Sequence, residues 1–267
     1  MGIALRPILS GSSGNCIYAC SGGTHILVDA GQSGKAIEAG LSAIGIPGER
    51  ISAILVTHEH SDHIMGVGVL SRRYRIPVYA TGNTWRFFER HGSVGRISKE
   101  LKNIVEPGVR FAVGELEAVG FDIPHDASQP VGYSLFAGGR KATVATDIGC
   151  VTDSVRENLR GSDILVLESN HDLEMLKNGR YPQVLKDRIM GSRGHLSNES
   201  AGTVLAQIMA PNLKYVFLGH LSEENNMPLL AAGTVEGILM ENNINPQLDL
   251  KIMLADRHGP SDAALVE

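Results

Sequence analysis

Hydrophobic positions along this chain switch repeatedly between a period of two and a period near 3.6. The apolar runs Ile3–Leu9, Cys16–Cys20, His25–Asp29 and Ile51–Val56 predict strands. Between the third and fourth, Ser33–Ile44 sets Ile37, Leu41 and Ile44 at helical spacing and stops at Gly45. Ile64–Arg73 predicts a helix whose terminal Arg72 and Arg73 suit the dipole. Pro77–Ala80 predicts a short strand, and Thr84–His91 an amphipathic helix with the one tryptophan, Trp85, as a core or subunit-contact residue. Strand then follows strand over 109–113, 116–123, 131–137 and 141–146. Helix and strand alternate again afterwards, with helices over 151–159, 171–177 and 182–190 and one capped by Ser197 and reaching Met209. The strands of this part are 163–167, 213–218 and a last one, Leu250–Leu254. The pattern is that of an α/β protein, with no solenoid repeat and no low-complexity linker, so one domain spanning 1–267 is expected.

The polar residues that end these runs are chemically selective. Ile51–Val56 leads directly into Thr57-His58-Glu59-His60-Ser61-Asp62-His63, three imidazoles and a carboxylate within six positions. Imidazole and carboxylate are ligands for zinc, manganese or iron, and strand ends of α/β sheets are where ligand sites form. His125, Asp147, Glu168 and His220 close later strands, and His195 sits in a loop between two helices. Asp29 ends the third strand, where it either fixes a ligand histidine by a hydrogen bond or caps the following helix. The turn Ser10-Gly11-Ser12-Ser13-Gly14-Asn15 is either a tight connection or a loop whose N–H groups approach a phosphate.

Composition narrows the class. An apolar fraction of 43% and a charged fraction of 20% are those of an ordinary globular protein. Three cysteines at no metal-finger spacing argue against a disulfide framework and for a reducing cytoplasm. No signal-peptide pattern is expected at the start, and no apolar run reaches the ~20 residues of a membrane helix. The net charge of −5 excludes a strong global attraction to nucleic acid but leaves room for a local basic groove.

The motif His58-x-His60-x-Asp62-His63, followed in order by His125, Asp147 and His220, resembles the metallo-β-lactamase-fold hydrolases. The resemblance runs from Gly11 to Asn226 and implies an αββα four-layer sandwich with two divalent metal ions, Zn²⁺ or Mn²⁺, at one edge. It implies that His58, His60 and His125 hold one metal and Asp62, His63 and His220 the other, with Asp147 bridging. His60 stands where flavo-diiron oxygen reductases of this fold carry Glu, which favours hydrolysis over redox work.

Further segments are similar to the bacterial YycJ/WalJ subgroup. They are Ser10–Asn15, Leu167-Glu168-Ser169-Asn170-His171-Asp172, Tyr181-Pro182, Gly194-His195-Leu196-Ser197-Asn198 and His220-Leu221-Ser222-x-x-Asn225-Asn226. That likeness implies a metal-dependent exonuclease acting 5′ to 3′, with nucleic acid, most simply DNA, as substrate. Two metals would lower a bound water's pKa and neutralise charge on the phosphodiester. His195 would protonate the leaving oxygen, with Glu168 holding its tautomer and raising its pKa. Asp62, His195 and Glu168 are thus the catalytic candidates.

Phosphate contacts are expected from Ser12 and Asn15 in the glycine-serine turn and from Arg188 and Arg193. The latter two belong to a segment that also carries Arg180 and Lys186. The competing expectations are a small-molecule phosphodiesterase and a metal-binding protein of this fold without turnover. Neither a long insertion between Asp147 and His220 nor a glycine- and proline-rich arm is found, so a large folded RNA is not expected.

Overall fold

Among the described residues, fourteen strands form two sheets of seven, and nine α-helices cover them. The structure is a computed structural model that describes residues 2–267. The first sheet begins with the antiparallel set β1 (Ile3–Leu9), β2 (Cys16–Ser21) and β3 (Thr24–Val28). It continues in parallel through β4 (Ile51–Leu55), β5 (Val78–Thr81) and β6 (Lys102–Val105). The second sheet opens as a meander of β7 (Arg110–Val113), β8 (Leu116–Asp122), β9 (Val131–Ala137) and β10 (Arg140–Ala145). It ends in parallel with β11 (Ile164–Glu168), β12 (Tyr215–Gly219) and β13 (Lys251–Leu254).

Alternation along the strands divides the apolar side chains between layers. Ile26, Leu55, Tyr133, Val166 and Phe217 pack between the sheets. Their strand neighbours Leu27 and Ile54 point the other way, onto α1 (Gly34–Ala43), α3 (Val67–Tyr74) and α4 (Gly82–His91) through Ile37, Leu41, Leu70 and Trp85. Leu165, Leu167 and Leu218 likewise meet α5 (Asp153–Leu159), α8 (Asn198–Ile208) and α9 (Pro228–Glu241). The result is helix, sheet, sheet, helix. Each fully buried large side chain, Phe217 among them, contributes about 1.5–3 kcal/mol.

The structure departs from the sequence pattern at three places. The expected helix over 64–73 is two: α2 (Ser61–Ile64) and α3, separated at Met65–Gly66. A Cβ on Gly66 would lie 2.5 Å from the Gln32 carbonyl, and the Gly66 N–H donates to the Ala30 carbonyl, so this turn is pinned to the loop after β3. Strand β6 escaped the apolar pattern because it opens on Lys102 and Asn103 and buries only Val105. A last strand, β14 (Ala264–Val266), follows β13 and closes the β1 edge. Trp85 is a core residue, its indole N–H donating to the Asn103 carbonyl. Of two further short helices, α6 (Leu173–Asn178) and α7 (Gln183–Met190), the second stands at the mouth of the site through Leu185, Arg188 and Ile189. No described helix is long and apolar enough to cross a membrane.

Candidate metal centre

The parallel runs β3–β4–β5 and β10–β11–β12 deliver their C-terminal ends to one edge of the sandwich, and the loaded residues gather there. Three of them adopt left-handed backbone: Asp29 after β3 (φ 62°), Asp147 after β10 (φ 60°) and His220 after β12 (φ 55°). Such conformations cost on the order of 1–3 kcal/mol each and persist where surrounding contacts over-determine them. Here the strand stops abruptly and the side chain turns inward.

Four buried histidines of this cluster, His58, His63, His125 and His220, are held through Nδ1, which leaves Nε2 for the interior. His63 Nδ1–H donates to Asp29 Oδ2 at 2.7 Å. Asp29 also accepts from the Thr57 N–H and hydroxyl, both at 2.8 Å. With its own proton committed to Asp29, the Thr57 hydroxyl accepts from His58 Nδ1 at 3.0 Å. His125 Nδ1–H donates to the Gly194 carbonyl at 3.1 Å. His220 Nδ1–H donates to Glu168 Oε1 at 2.8 Å. Of the two alternatives for Asp29, the histidine-fixing one is realised; helix α1 is capped instead by Ser33.

The atoms left over form overlapping donor sets. His58, His60 and His125 make one group, and Asp62, His63 and His220 another, each with its ligand atoms within 4.8 Å of one another. Asp147 stands between them. Its Oδ2 is 3.3 Å from His63 Nε2, and its Oδ1 is 3.7 Å from His125 Nε2 and 3.6 Å from His220 Nδ1. His58 Nε2, Asp147 Oδ2 and His220 Nε2 are buried yet have no hydrogen-bond partner among the described residues. Orphaned polar atoms of this kind are costly, and lone pairs converging from both sets suit divalent cations. This donor set fits a divalent-metal centre.

The electrostatics agree. Burial works against charge on His63, but Asp147 and Asp29 outweigh it and hold the ring well above the ordinary histidine range. Burial likewise opposes charge on His220, yet Asp147, Asp62 and Glu168 push it up to about 10. Burial would raise Asp62, but His220 and His63 hold it far below the usual carboxylate range. The carboxylates thus recruit protons onto the imidazoles, and cations compete for those same sites.

One side of this cluster opens on a cavity of about 220 Å³. The exposed members of the cluster are His60, Asp62 and His195, whose side chains are 33%, 24% and 21% exposed. Tyr181, Leu185 and Ile189 form an apolar wall, while Ser12, Arg188 and Asp126 supply the polar rim. His195 Nδ1–H donates to Glu168 Oε1 at 2.8 Å, the same oxygen that receives His220. Glu168 Oε2 is fixed by the N–H groups of Ile148 and Leu196 at 2.7 and 3.1 Å. Glu168 is fully buried; burial favours its neutral form, but His195 and His220 bring it down to about 2. In turn His195, which burial would lower, is raised by Glu168 and then Asp147.

The expected phosphate contacts divide. Ser12 and Arg188 line the cavity. Asn15 does not: it is 2% exposed, its amide donates to the Gly11 carbonyl, and its nitrogen is 3.2 Å from His63 Nε2. It shapes the turn and packs on a histidine, because Gly11 and Gly14 fold the turn back on itself with φ near 152° and 153°. Arg193 is exposed and outside the cavity lining. Lys186 is buried with its ammonium on the Lys177 carbonyl at 2.6 Å, so the segment 180–193 is no continuous basic face. Sequence reasoning passed over Asp126, which pairs with Arg188 through Oδ2 and lies 3.3 Å from His125 Nε2 through Oδ1. Its signal was adjacency to His125.

Comparison with known proteins agrees with this geometry. Residues 9–220 match the family model of the metallo-beta-lactamase superfamily. The chain is 42% identical over 241 residues to the exodeoxyribonuclease YycJ of Bacillus anthracis, covering 90% of each chain. It is 37% identical over 252 residues to the exodeoxyribonuclease WalJ of Streptococcus pneumoniae, covering 94% of each. In fold it is similar to the crystal structure of the metallo-beta-lactamase fold protein YhfI from Bacillus subtilis, with a TM-score of 0.75 at 16% identity over 99% of both chains. From the turn before β2 to His220, the sandwich and the histidine-rich edge are those of one family, and this chain belongs to the metallo-beta-lactamase superfamily.

Proposed function

We propose that this chain, acting as one domain, is a metal-dependent phosphodiesterase that removes nucleotides from a DNA end, 5′ to 3′. The observation that carries the reading is the His195–Glu168 pair, set at 2.8 Å on the wall of the cavity beside both donor sets. Hydrolysis of a thioester, whose thiolate leaves unaided, gives such a pair no task. A leaving alkoxide does, since it departs only with a proton. The likeness to the two curated exodeoxyribonucleases supports the same reading.

His58, His60 and His125 would hold one divalent cation, Zn²⁺ or Mn²⁺, and Asp62, His63 and His220 a second, with Asp147 shared. Bound there, the two cations supply a nucleophile near neutral pH and neutralise charge on the phosphodiester. The protein does the rest. Asp29, Thr57, Gly194 and Glu168 fix the rings so that Nε2 faces inward. Arg188 and Ser12 orient the phosphate at the rim. His195, charged because Glu168 outweighs burial, carries the proton to the departing oxygen through Nε2. Unpaired Cys16, Cys20 and Cys150 suit a reducing cytoplasm.

A second reading rests on the cavity's size. About 220 Å³ lies below the roughly 300–1,000 Å³ of ordinary ligand pockets, so a small phosphodiester would fill it as well as a strand end. Purified protein with Mn²⁺ or Zn²⁺ is offered linear DNA labelled at either end, closed-circular DNA and bis-p-nitrophenyl phosphate. Release of nucleotides from the 5′ end of linear DNA, with circles intact, is the expected result. Cleavage of the small ester alone would overturn the exonuclease reading in favour of the second.

A further inference from the structure

A second cavity, of about 1190 Å³, lies along α4 and β6. Arg72, Arg86, Arg96, Lys99 and Lys102 line it against two acids, Glu89 and Glu100. Both acids are already engaged: Glu89 with Lys102 at 2.8 Å and Glu100 with Arg75, outside the lining, at 3.4 Å. Arg72 spends its guanidinium on the Val94 carbonyl at 2.8 Å, which leaves its charge uncancelled. Arg86, Arg96 and Lys99 are exposed and form no ion pair among the described residues. The lining therefore carries a formal charge of about +3 by this count of five cations and two acids, on a chain whose net charge is −5. A surface charge opposed to the molecule's own sign is a specific feature, and it selects a polyanion.

One end of the groove reaches the metal edge, whereas Lys99 and Lys102, at the start of β6, stand towards the opposite end of the parallel strands. Strand β5 runs parallel to β4, so Gly82, which lines the groove, emerges at the same edge as His58. Thr81 donates its hydroxyl to the Gln129 carbonyl at 3.1 Å, in the loop that follows His125. Asp126, at the other end of that loop, lines the metal-site cavity. That loop thus links the Gly82 end of the groove to the metal-site cavity.

We propose that this groove tracks the phosphates of the same nucleic-acid strand, several nucleotides from the one at the metal centre. The proposal rests on the phosphodiesterase reading above. It explains how an acidic protein with a small reaction cavity keeps hold of a long substrate between turnovers. Its occupant is a sugar–phosphate backbone; the apolar wall at the reaction cavity is a separate feature.

The test uses the triple variant Arg86→Gln, Arg96→Gln, Lys99→Gln, a charge-conserving triple Arg86→Lys, Arg96→Lys, Lys99→Arg, and the full metal-loaded protein. For long linear DNA, KM of the neutral triple should rise on the order of tenfold at about 0.1 M salt, and the slope of log KM against log salt should fall by about 2. Turnover of bis-p-nitrophenyl phosphate and of a dinucleotide should stay at the parent's level, and the charge-conserving triple should match the parent throughout. An unchanged KM and salt slope for the neutral triple would overturn the proposal, as would equal losses in both triples. Unchanged DNA cleavage combined with lost binding of polyglutamate would overturn it in favour of an acidic protein segment. A parent protein that hydrolyses the small ester but not DNA would instead remove the reading on which the groove depends.

Discussion

Glu168 Oε1 lies 2.8 Å from Nδ1 of His195, and it spends that same oxygen on Nδ1 of His220. One fully buried carboxylate therefore sets the tautomer of a metal-ligand candidate and of the proton-donor candidate together. Its second oxygen is locked by two backbone N–H groups, so it has no freedom to choose between them.

The proton-donor role makes a pH prediction. Burial lowers His195, but Glu168 and Asp147 raise it above an ordinary histidine. A general acid works while protonated, so activity should persist at neutral pH and fall as pH rises through that raised value. Glu168→Gln keeps an acceptor oxygen and removes the charge, so the alkaline limb of kcat should move to lower pH. His195→Ala should lower kcat on DNA by about 10²–10⁴-fold with metal stoichiometry unchanged. Cleavage of bis-p-nitrophenyl phosphate, whose leaving group needs no proton, should fall far less. Metal loss in His195→Ala, read by elemental analysis, would make it a ligand instead.

Asp29 carries a prediction of its own. It grips His63 directly and His58 through the Thr57 hydroxyl, so it serves both donor sets. Asp29→Asn retains a residue type that tolerates the left-handed backbone at φ 62° and removes the charge. Metal affinity should drop by about 10–100-fold at both positions, measured by competition with a chromophoric chelator. An effect confined to one metal would mean that the Thr57 relay is idle.

Much of this cluster was legible in the sequence, because His and Asp are common ligand types and parallel strand ends stand at one edge. His58–His63, His125, Asp147 and His220 announced themselves by residue type. The supports were less visible. Thr57 reads as one more β-branched residue, and nothing in the chain distinguishes its hydroxyl as a link between Asp29 and His58. Asn15 looked like a phosphate contact because it closes a glycine-rich turn, but its burial against His63 is decided by residues far along the chain. The basic groove was hidden for a different reason. Its cations come from α3, α4, the loop after it and β6, so they never form a run. The layers of the fold were plain from alternation, while β6 and β14 were missed because edge strands of four and three residues are too short to show a period.

Gly31 predicts a stability effect close to the metal edge. A Cβ there would lie 1.7 Å from the Asp62 carbonyl oxygen and 2.6 Å from the Asn15 nitrogen, both backbone atoms. The Gly31 N–H and the Asp62 carbonyl are the two ends of a small web through Asn15, at 2.8 Å each. Gly31→Ala should therefore cost at least about 1–3 kcal/mol in urea unfolding and weaken metal binding at the proposed Asp62–His63–His220 position. Gly82→Ala, where a Cβ meets nothing within 4 Å among the described residues, is the control and should change stability by less than about 0.5 kcal/mol.

His171 predicts how the metal-free protein responds to acid. It is 1% exposed, and its Nδ1 has no hydrogen-bond partner among the described residues. Burial dominates and pushes it down to about 4, with Glu168 opposing and His195 reinforcing. The unfolded chain binds this proton near pH 6.5 and the folded chain only near pH 4, so between those values protons favour unfolding. The stability associated with neutral His171 is complete above about pH 6.5 and declines as pH falls towards 4, by up to about 3 kcal/mol in total. His171→Gln removes the titration. In chelator-treated protein, its unfolding free energy should decline less steeply than the parent's from neutral pH down to pH 5. Parallel curves would mean that His171 carries its proton inside the fold, and the orphaned Nδ1 would then need a partner that binds it in solution.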